Sequence, residues 1–335
     1  MVAVASRDPQ RATRFIQECQ RAVSFDAQPQ ACSYEELLAN PDIEAVYIPL
    51  PTGVRKEWVL RAARSGKHVV CEKPCGVNAA EVAEMLSVCR EKNVQFMDGV
   101  MFLHSQRLNS IRAVLDDSLS IGTIRRIATQ FSFRGEEEFL KQNIRVSGEL
   151  EPLGCLGDLG WYNIRFTLWV MNHQMPERVT GRILTATESA RGQSVPLEFA
   201  GEMLYGDGVS ATFYCSFVTE MQQWADIAGT RGRIHLRDFV LPYFGSEVAF
   251  DVSNDVFSIT DCQFNMEEHT RRIAVREYSN NAATAQESNL FRNFGQLVQK
   301  NKPDPTWGEN VLRTQRVLDA CLASARADGK SVPVE

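Results

Sequence analysis

The sequence predicts an α/β chain in two parts: a parallel-sheet domain over residues 1–105, and an α+β domain over residues 106–335 with a large, mainly antiparallel sheet left open on one face. Two observations carry this. In the first hundred residues, short and nearly continuous apolar runs alternate with segments of helical period, the pattern of strands covered on both faces by helices. Past about residue 120 the strand-like runs follow one another across glycine-rich turn signals, which reads as an antiparallel meander. Length agrees, because 335 residues make about two domains at roughly 150 residues each.

Each element has a local signal. Val2 to Ser6 reads as a strand, after which Asp8 stands at an N-cap position and Pro9 at the first helical turn. Ser33 and Glu36 have the capping-box spacing for a short helix, and Ala45 to Leu50 is the next strand. Thr52 is placed to cap a third helix and Gly66 to end it before the strand HVVCEKP; Asn78 then opens a helix that leads to the strand VQFMDGVMF. In the second part, strands are expected in IRRIATQFSFRG, RVTGRILTATES, LEFAGEMLY, VSATFYCSFVT, ADIAGTRGRIHLRDF and EVAFDV. One helix, Asp158 to Asn172, interrupts them, and two close the chain near residues 290–300 and 308–327, the last free to pack back on the first domain.

Composition narrows the function. A hydrophobic fraction of 44% with 23% charged residues is globular rather than disordered. No window approaches the roughly 18 uninterrupted apolar residues of a spanning helix, and MVAVASRDPQ lacks a basic-then-apolar signal, so no membrane partner and a cytoplasmic location are expected. The net charge of -6 comes with scattered lysines and arginines, which offers nucleic acid no basic stripe. Nine cysteines without a CxxC pair, and five histidines without zinc-finger spacing, read as reduced and mostly buried thiols with no metal site.

Three strings stand in order: VASR at Val4 to Arg7, CEKP at Cys71 to Pro74 and GDLGWY at Gly157 to Tyr162. Together they resemble the Gfo/Idh/MocA family of NAD(P)-dependent oxidoreductases, typified by glucose-fructose oxidoreductase and inositol dehydrogenase. Within it the likeness is nearest to plant-type oxidoreductases and to the dimeric dihydrodiol and D-xylose dehydrogenases; YIPLPT, MDGVMFLH, FLKQNIRV, TFYCSF and AGTRGRIHLRDFVLPY fall where those proteins carry similar strings. The resemblance implies a Rossmann-type first domain and a homodimer formed through the open sheet. One departure matters. No G-x-G-x-x-G precedes Val2, so the family's first strand and its phosphate-binding loop are missing from the string, and that strand would be a central one. Either the string is a shortened reading of a longer chain, which leaves organellar targeting open, or it is a short form that holds a dinucleotide poorly.

The candidate site follows from strand ends. Ser6 and Arg7 stand where NAD enzymes of this fold place an acidic residue, and a hydroxyl with a guanidinium suits the 2′-phosphate of NADP, with NAD the alternative cofactor; otherwise they merely start a helix. Pro49, Leu50, Pro51 and Thr52 leave a parallel strand at its carboxyl edge, where ligands bind in open α/β sheets, and the resemblance places the nicotinamide there. Arg55 occupies a position where the family often has His. Glu72, Lys73 and Pro74 leave the next strand on the same edge; the resemblance implies that Lys73 lies between nicotinamide and substrate, although a lysine at a strand end is ordinarily a solvated surface group. Asp158 and Tyr162, four residues apart, project from one helix face. In the dihydrodiol dehydrogenase branch the tyrosine is the acid/base group, and a nearby Lys73 would lower its pKa; Asp158 either orients substrate hydroxyls or caps the helix, and Tyr162 could instead be a core residue beside Trp161. Asp98, Met101, Phe102, His104 and Arg107 are expected along the crevice roof, with Met101 toward the cofactor and Phe102, His104, Arg145 and Trp161 as substrate-binding candidates. The function this implies is hydride transfer between NADP and a carbinol or carbonyl carbon of a small polyol, sugar or cyclic diol. The rival is a non-catalytic member acting as a ligand sensor or scaffold.

Overall fold

The structure, a computed structural model, describes residues 1–187, 194–279, 282–300 and 302–335. Its first part runs β1 (Ala3–Ala5), α1 (Pro9–Ala22), β2 (Gln30–Cys32), α2 (Tyr34–Ala39), β3 (Ala45–Ile48), α3 (Thr52–Arg64), β4 (His68–Cys71), α4 (Ala79–Glu91) and β5 (Phe96–Asp98). Local chemistry sets the boundaries. Asp8 caps α1 by accepting from the Gln10 N–H at 2.9 Å, Ser33 and Glu36 close a full capping box on α2, and Asn78 accepts from the Glu81 N–H at 2.9 Å. Gly66 leaves α3 at φ +73°, a conformation that glycine adopts without strain. Thr52 does not cap α3. It is the first helical residue, and Glu151 takes the capping role, accepting from the Thr52 N–H at 2.9 Å and from its hydroxyl at 2.6 Å. The strand β2 has no counterpart in the sequence reading; three residues are too few to show a period.

A 3₁₀ turn (Met101–His104) leads into the second part: α5 (Arg107–Asp116), β6 (Ile124–Arg134), α6 (Glu137–Gln142), a π turn (Leu156–Gly160) running into α7 (Trp161–Val170), β7 (Arg178–Thr187), β8 (Val195–Leu204), β9 (Ser210–Ser216), β10 (Val218–Gly229) and β11 (Arg233–Leu236). There follow β12 (Val248–Ser253), β13 (Val256–Thr260), β14 (Gln263–Glu267), β15 (Thr270–Val275), α8 (Gln286–Gln299), α9 (Pro305–Arg326) and β16 (Val332–Pro333). The strand expected over 178–189 is seen to Thr187; residues 188 and 189 lie outside the described ones.

Among the described residues the large sheet has the order β15-β12-β11-β10-β6-β9-β8-β7-β16. It is not a simple meander, because β6 inserts between β9 and β10 and pairs parallel with β9; every other pair in it is antiparallel. Phe213, Cys215 and Phe217 are at most 3% exposed on the inner face, packed in the same core as Ile164 and Phe166 of α7, so they need no cover from a partner. The residues that alternate with them, Thr212 and Tyr214, and their neighbours Gln130 and Trp224, are only part-buried. The helix α9 lies against α4 and β5 as well as β7, with Gly308 packed so closely on Leu86 that a Cβ there would stand 2.6 Å from it.

The parallel sheet is split. β1 pairs with β2, while β3, β4 and β5 form a separate parallel sheet. Between β1 and β3 lies a cavity of about 870 Å³, walled by Leu37 and Leu38 of α2, Trp58 of α3, and Phe294 and Val298 of α8. This is where the sequence reading expects a central strand.

Candidate active site

The exits of β3 and β4 meet the π turn and α7 around a second cavity, of about 390 Å³. From the first part come Pro49, Leu50 and Pro51 after β3, and Glu72, Lys73 and Pro74 after β4. Facing them are Met101, Arg145, Asp158 and Tyr162. The volume suits a ring and a small polar substrate, within the usual range for ligand sites.

Lys73 precedes a cis bond to Pro74, and its side chain is 9% exposed. Its ammonium donates to the main-chain oxygen of Asp158 at 2.7 Å and to the Asp158 carboxylate, and stands 4.6 Å from the centre of the Tyr162 ring, over its face. Arg145 Nε donates to the other Asp158 oxygen at 2.9 Å. Burial works against the charge on Asp158, but the two cations outweigh it and hold the carboxyl below its ordinary range. Asp158 therefore does not cap the helix; it lies inside the π turn as the counter-ion of two cations. Glu72 accepts from the Tyr47 hydroxyl at 2.6 Å and from the Lys73 N–H at 3.2 Å, and it packs on Gly99, where a Cβ would sit 2.7 Å from its carboxylate.

Tyr162 departs from expectation in its titration. Burial first, then the negative charges of Glu72 and Asp158, push its hydroxyl well above the ordinary value. Arg145 opposes this and is outweighed, while the Lys73 ammonium sits over the ring face, bonded to Asp158. The hydroxyl instead donates to Met101 Sδ at 3.5 Å, so at neutral pH Tyr162 is a protonated group at the cavity wall.

Several expected residues stand elsewhere. Trp161 and Phe102 are 0% and 1% exposed in the hydrophobic core and line neither cavity; Phe102 packs on the rings of Phe166 and Phe239. His104 is 4% exposed, stacked on Trp307 with ring centres 5.2 Å apart and bonded to Asn293, and burial lowers its pKa to about 4; it is a structural histidine. Asp98 is fully buried against Arg165, and Arg107 against Asp238. Thr52 is 1% exposed and engaged by Glu151. Ser6 and Arg7 follow β1, across the split in the sheet; Ser6 Oγ accepts from the Asp8 N–H at 3.3 Å, and Arg7 is exposed. The sequence reading missed Glu151 and Tyr47. A lone glutamate in an irregular loop gives no signal, and Tyr47 carries only the pattern of a strand residue.

Two family models match the chain: residues 1–100 fit an oxidoreductase family described as having an NAD-binding Rossmann fold, and residues 110–235 fit the Gfo/Idh/MocA C-terminal domain. Among curated proteins, the chain is 33% identical to mouse trans-1,2-dihydrobenzene-1,2-diol dehydrogenase over 72% of its own length and 68% of that protein's. It is 32% identical to a dTDP-3,4-didehydro-2,6-dideoxy-α-D-glucose 3-reductase of Saccharopolyspora spinosa, over 70% and 65% of the two chains. The matches thus span about two thirds of these relatives. Among solved structures, a 3-ketoreductase of Actinomadura kijaniata in complex with NADP and TDP-benzene superposes with a TM-score of 0.77 at 25% identity, covering 97% of this chain and 89% of that one. With the strand exits, the lysine, and the paired aspartate and tyrosine in place, the chain belongs to the Gfo/Idh/MocA family of NAD(P)-dependent oxidoreductases.

Proposed function

We propose that this chain is an NADP-dependent dehydrogenase or reductase acting on a carbinol or carbonyl carbon of a small polyol, sugar or cyclic diol. The observation that carries the reading is the cluster at the smaller cavity: Lys73 bonded to Asp158 and held over the Tyr162 ring, with Arg145 as second cation. In this division of labour residues 1–105 carry the cofactor edge and residues 106–335 supply Asp158, Tyr162 and Arg145. The diol and sugar substrates named for the relatives support the substrate class, and they suit a cavity walled by several hydrogen-bonding side chains.

The residues fit the cofactor at its two ends. Pro49, Leu50, Glu72, Lys73 and Pro74 would hold the nicotinamide, whose chemistry when bound is to give or take a hydride. Ser6 and Arg7 would hold the phosphorylated ribose. The stretch between is lined largely by apolar side chains, with no lysine or arginine among the described residues, so a diphosphate there would depend on main-chain N–H donors rather than on a basic side chain. The chain's own residues act on the substrate oxygen. A neutral Tyr162 hydroxyl donates the proton that a carbonyl oxygen takes up on reduction. The Lys73 ammonium, fixed by Asp158, offers a further donor to the same oxygen, and Arg145 holds the neighbouring hydroxyls. A homodimer through the face carrying Gln130, Tyr214 and Trp224 belongs to the same proposal.

The test is nicotinamide absorbance with NADP or NADPH against a panel of cyclic diols, aldoses and keto-sugars. Turnover of at least one, abolished in Tyr162→Phe, is the expected result. The split sheet favours the rival reading, a sensor or scaffold; binding of a sugar or diol without turnover in any form of the chain would establish it.

A further inference from the structure

We propose that Arg55 is a positioning residue of this site, setting where the Lys73 ammonium stands. Arg55 lies on the first turn of α3, is 3% exposed, and reaches under the cavity. Its Nε donates to the main-chain oxygen of Leu50 at 2.8 Å, at the exit of β3. Its Nη1 donates to the oxygen of Glu72 at 3.0 Å and to that of Pro74, the two carbonyls that flank Lys73. The same nitrogen lies 3.3 Å from the Thr52 hydroxyl, which donates in turn to Glu151 in the loop before the π turn. One rigid guanidinium therefore joins both strand exits and, through Thr52, the wall that carries Asp158.

The physical need is specific. A lysine has four rotatable carbons, so its ammonium is placed only if the backbone beneath it and the acceptors around it are both fixed. Asp158 supplies the acceptors, and Arg55 fixes the backbone on either side. Burying a guanidinium among main-chain carbonyls is costly, and it is tolerated where each donor finds an acceptor. A shorter-reaching or single-point donor cannot span Leu50, Glu72 and Pro74 together; the planar fork can.

The inference rests on the reading of Lys73 as a working group of the site, and its test needs neither cofactor nor turnover. Lys73 is followed by the rate of reductive methylation of its amine across pH, in the wild type, Arg55→Lys and Arg55→Gln, with Lys67 as internal control. Lys67 is also buried, donating to the Asn40 oxygen at 2.7 Å, and takes no part in the site. Freed from its fixed pairing with Asp158, Lys73 should be methylated faster at pH 8 by about tenfold in the variants, the scale of one lost hydrogen bond to a charged group, with Lys67 unchanged. Equal Lys73 rates in all three proteins would overturn the proposal. So would a joint rise of Lys67 and Lys73, or loss of fold in both variants, since either would make Arg55 a core residue alone. A protein that shows the Lys73 effect yet turns over no diol or sugar would refute the oxidoreductase reading and leave the positioning role standing.

Discussion

Two cavities share a wall at Tyr47, Pro49 and Leu50, and they are made of opposite materials. The smaller is lined by charged groups already engaged with one another: Lys73 and Arg145 on Asp158, Tyr47 on Glu72, Arg55 on three carbonyls. The larger is lined mainly by Leu, Ile, Val, Trp and Phe side chains and by strands β1 and β3, neither of which pairs with the other. A preorganised polar site costs no rearrangement when a substrate arrives. Paired strand edges and buried apolar surface are what stabilise a sheet, and the larger cavity has neither at its centre. The difference teaches that the polar cluster around Lys73 is held by groups bonded to one another, while the larger cavity lies between two strands that do not pair.

Four changes would break or sharpen that contrast. The largest effect is expected from Tyr162→Phe, which keeps the ring under Lys73 and removes the donor. In any active form of the chain kcat should fall by about 10²–10⁴ with an unchanged melting temperature; near-full turnover would reduce Tyr162 to packing. Asp158→Asn comes next, since it leaves Lys73 and Arg145 without their counter-ion, and denaturant unfolding at pH 7 should show a loss of roughly 3 kcal/mol. The sign with pH is fixed: a carboxyl held below its ordinary range stabilises the fold above the unfolded-state value, and that contribution disappears as pH falls through the lowered one. Wild type and variant should therefore converge in strongly acid solution, and a gap that stays constant with pH would show that the pair does not carry it.

The larger cavity is probed by joining a strand and a G-x-G-x-x-G loop ahead of Ala3. NADPH fluorescence titration should show affinity at least about tenfold tighter, because backbone N–H groups would then meet the diphosphate. Equal affinity would mean that the split in the sheet is of no consequence for the cofactor. The smallest effect is expected at the exposed Arg7. In the form that binds cofactor, Arg7→Asp should shift the ratio of kcat/KM toward NAD by about fivefold, the scale of a solvent-exposed ion pair. An unchanged ratio would place Arg7 away from the ribose.

The sequence by itself determined the elements whose signals are local. Asp8, Ser33, Asn78 and Gly66 start or stop helices through their own hydrogen bonds or backbone freedom, and each does so in the structure. It also marked the strings around Lys73, Asp158 and Tyr162, through a strand exit, a spacing of four and a family resemblance, although Asp158 falls in a π turn before α7 rather than in the expected helix. Only the tertiary structure decided what those groups do to each other. That the Lys73 ammonium meets Asp158 and the face of the Tyr162 ring, rather than its hydroxyl, depends on the approach of segments 85 residues apart. The capping of α3 by Glu151, the insertion of β6 between β9 and β10, and the withdrawal of Phe102, His104 and Trp161 into the core are likewise contacts between distant segments. Period and capping are properties of neighbours in sequence, whereas register, burial and the titration of a buried hydroxyl are properties of neighbours in space.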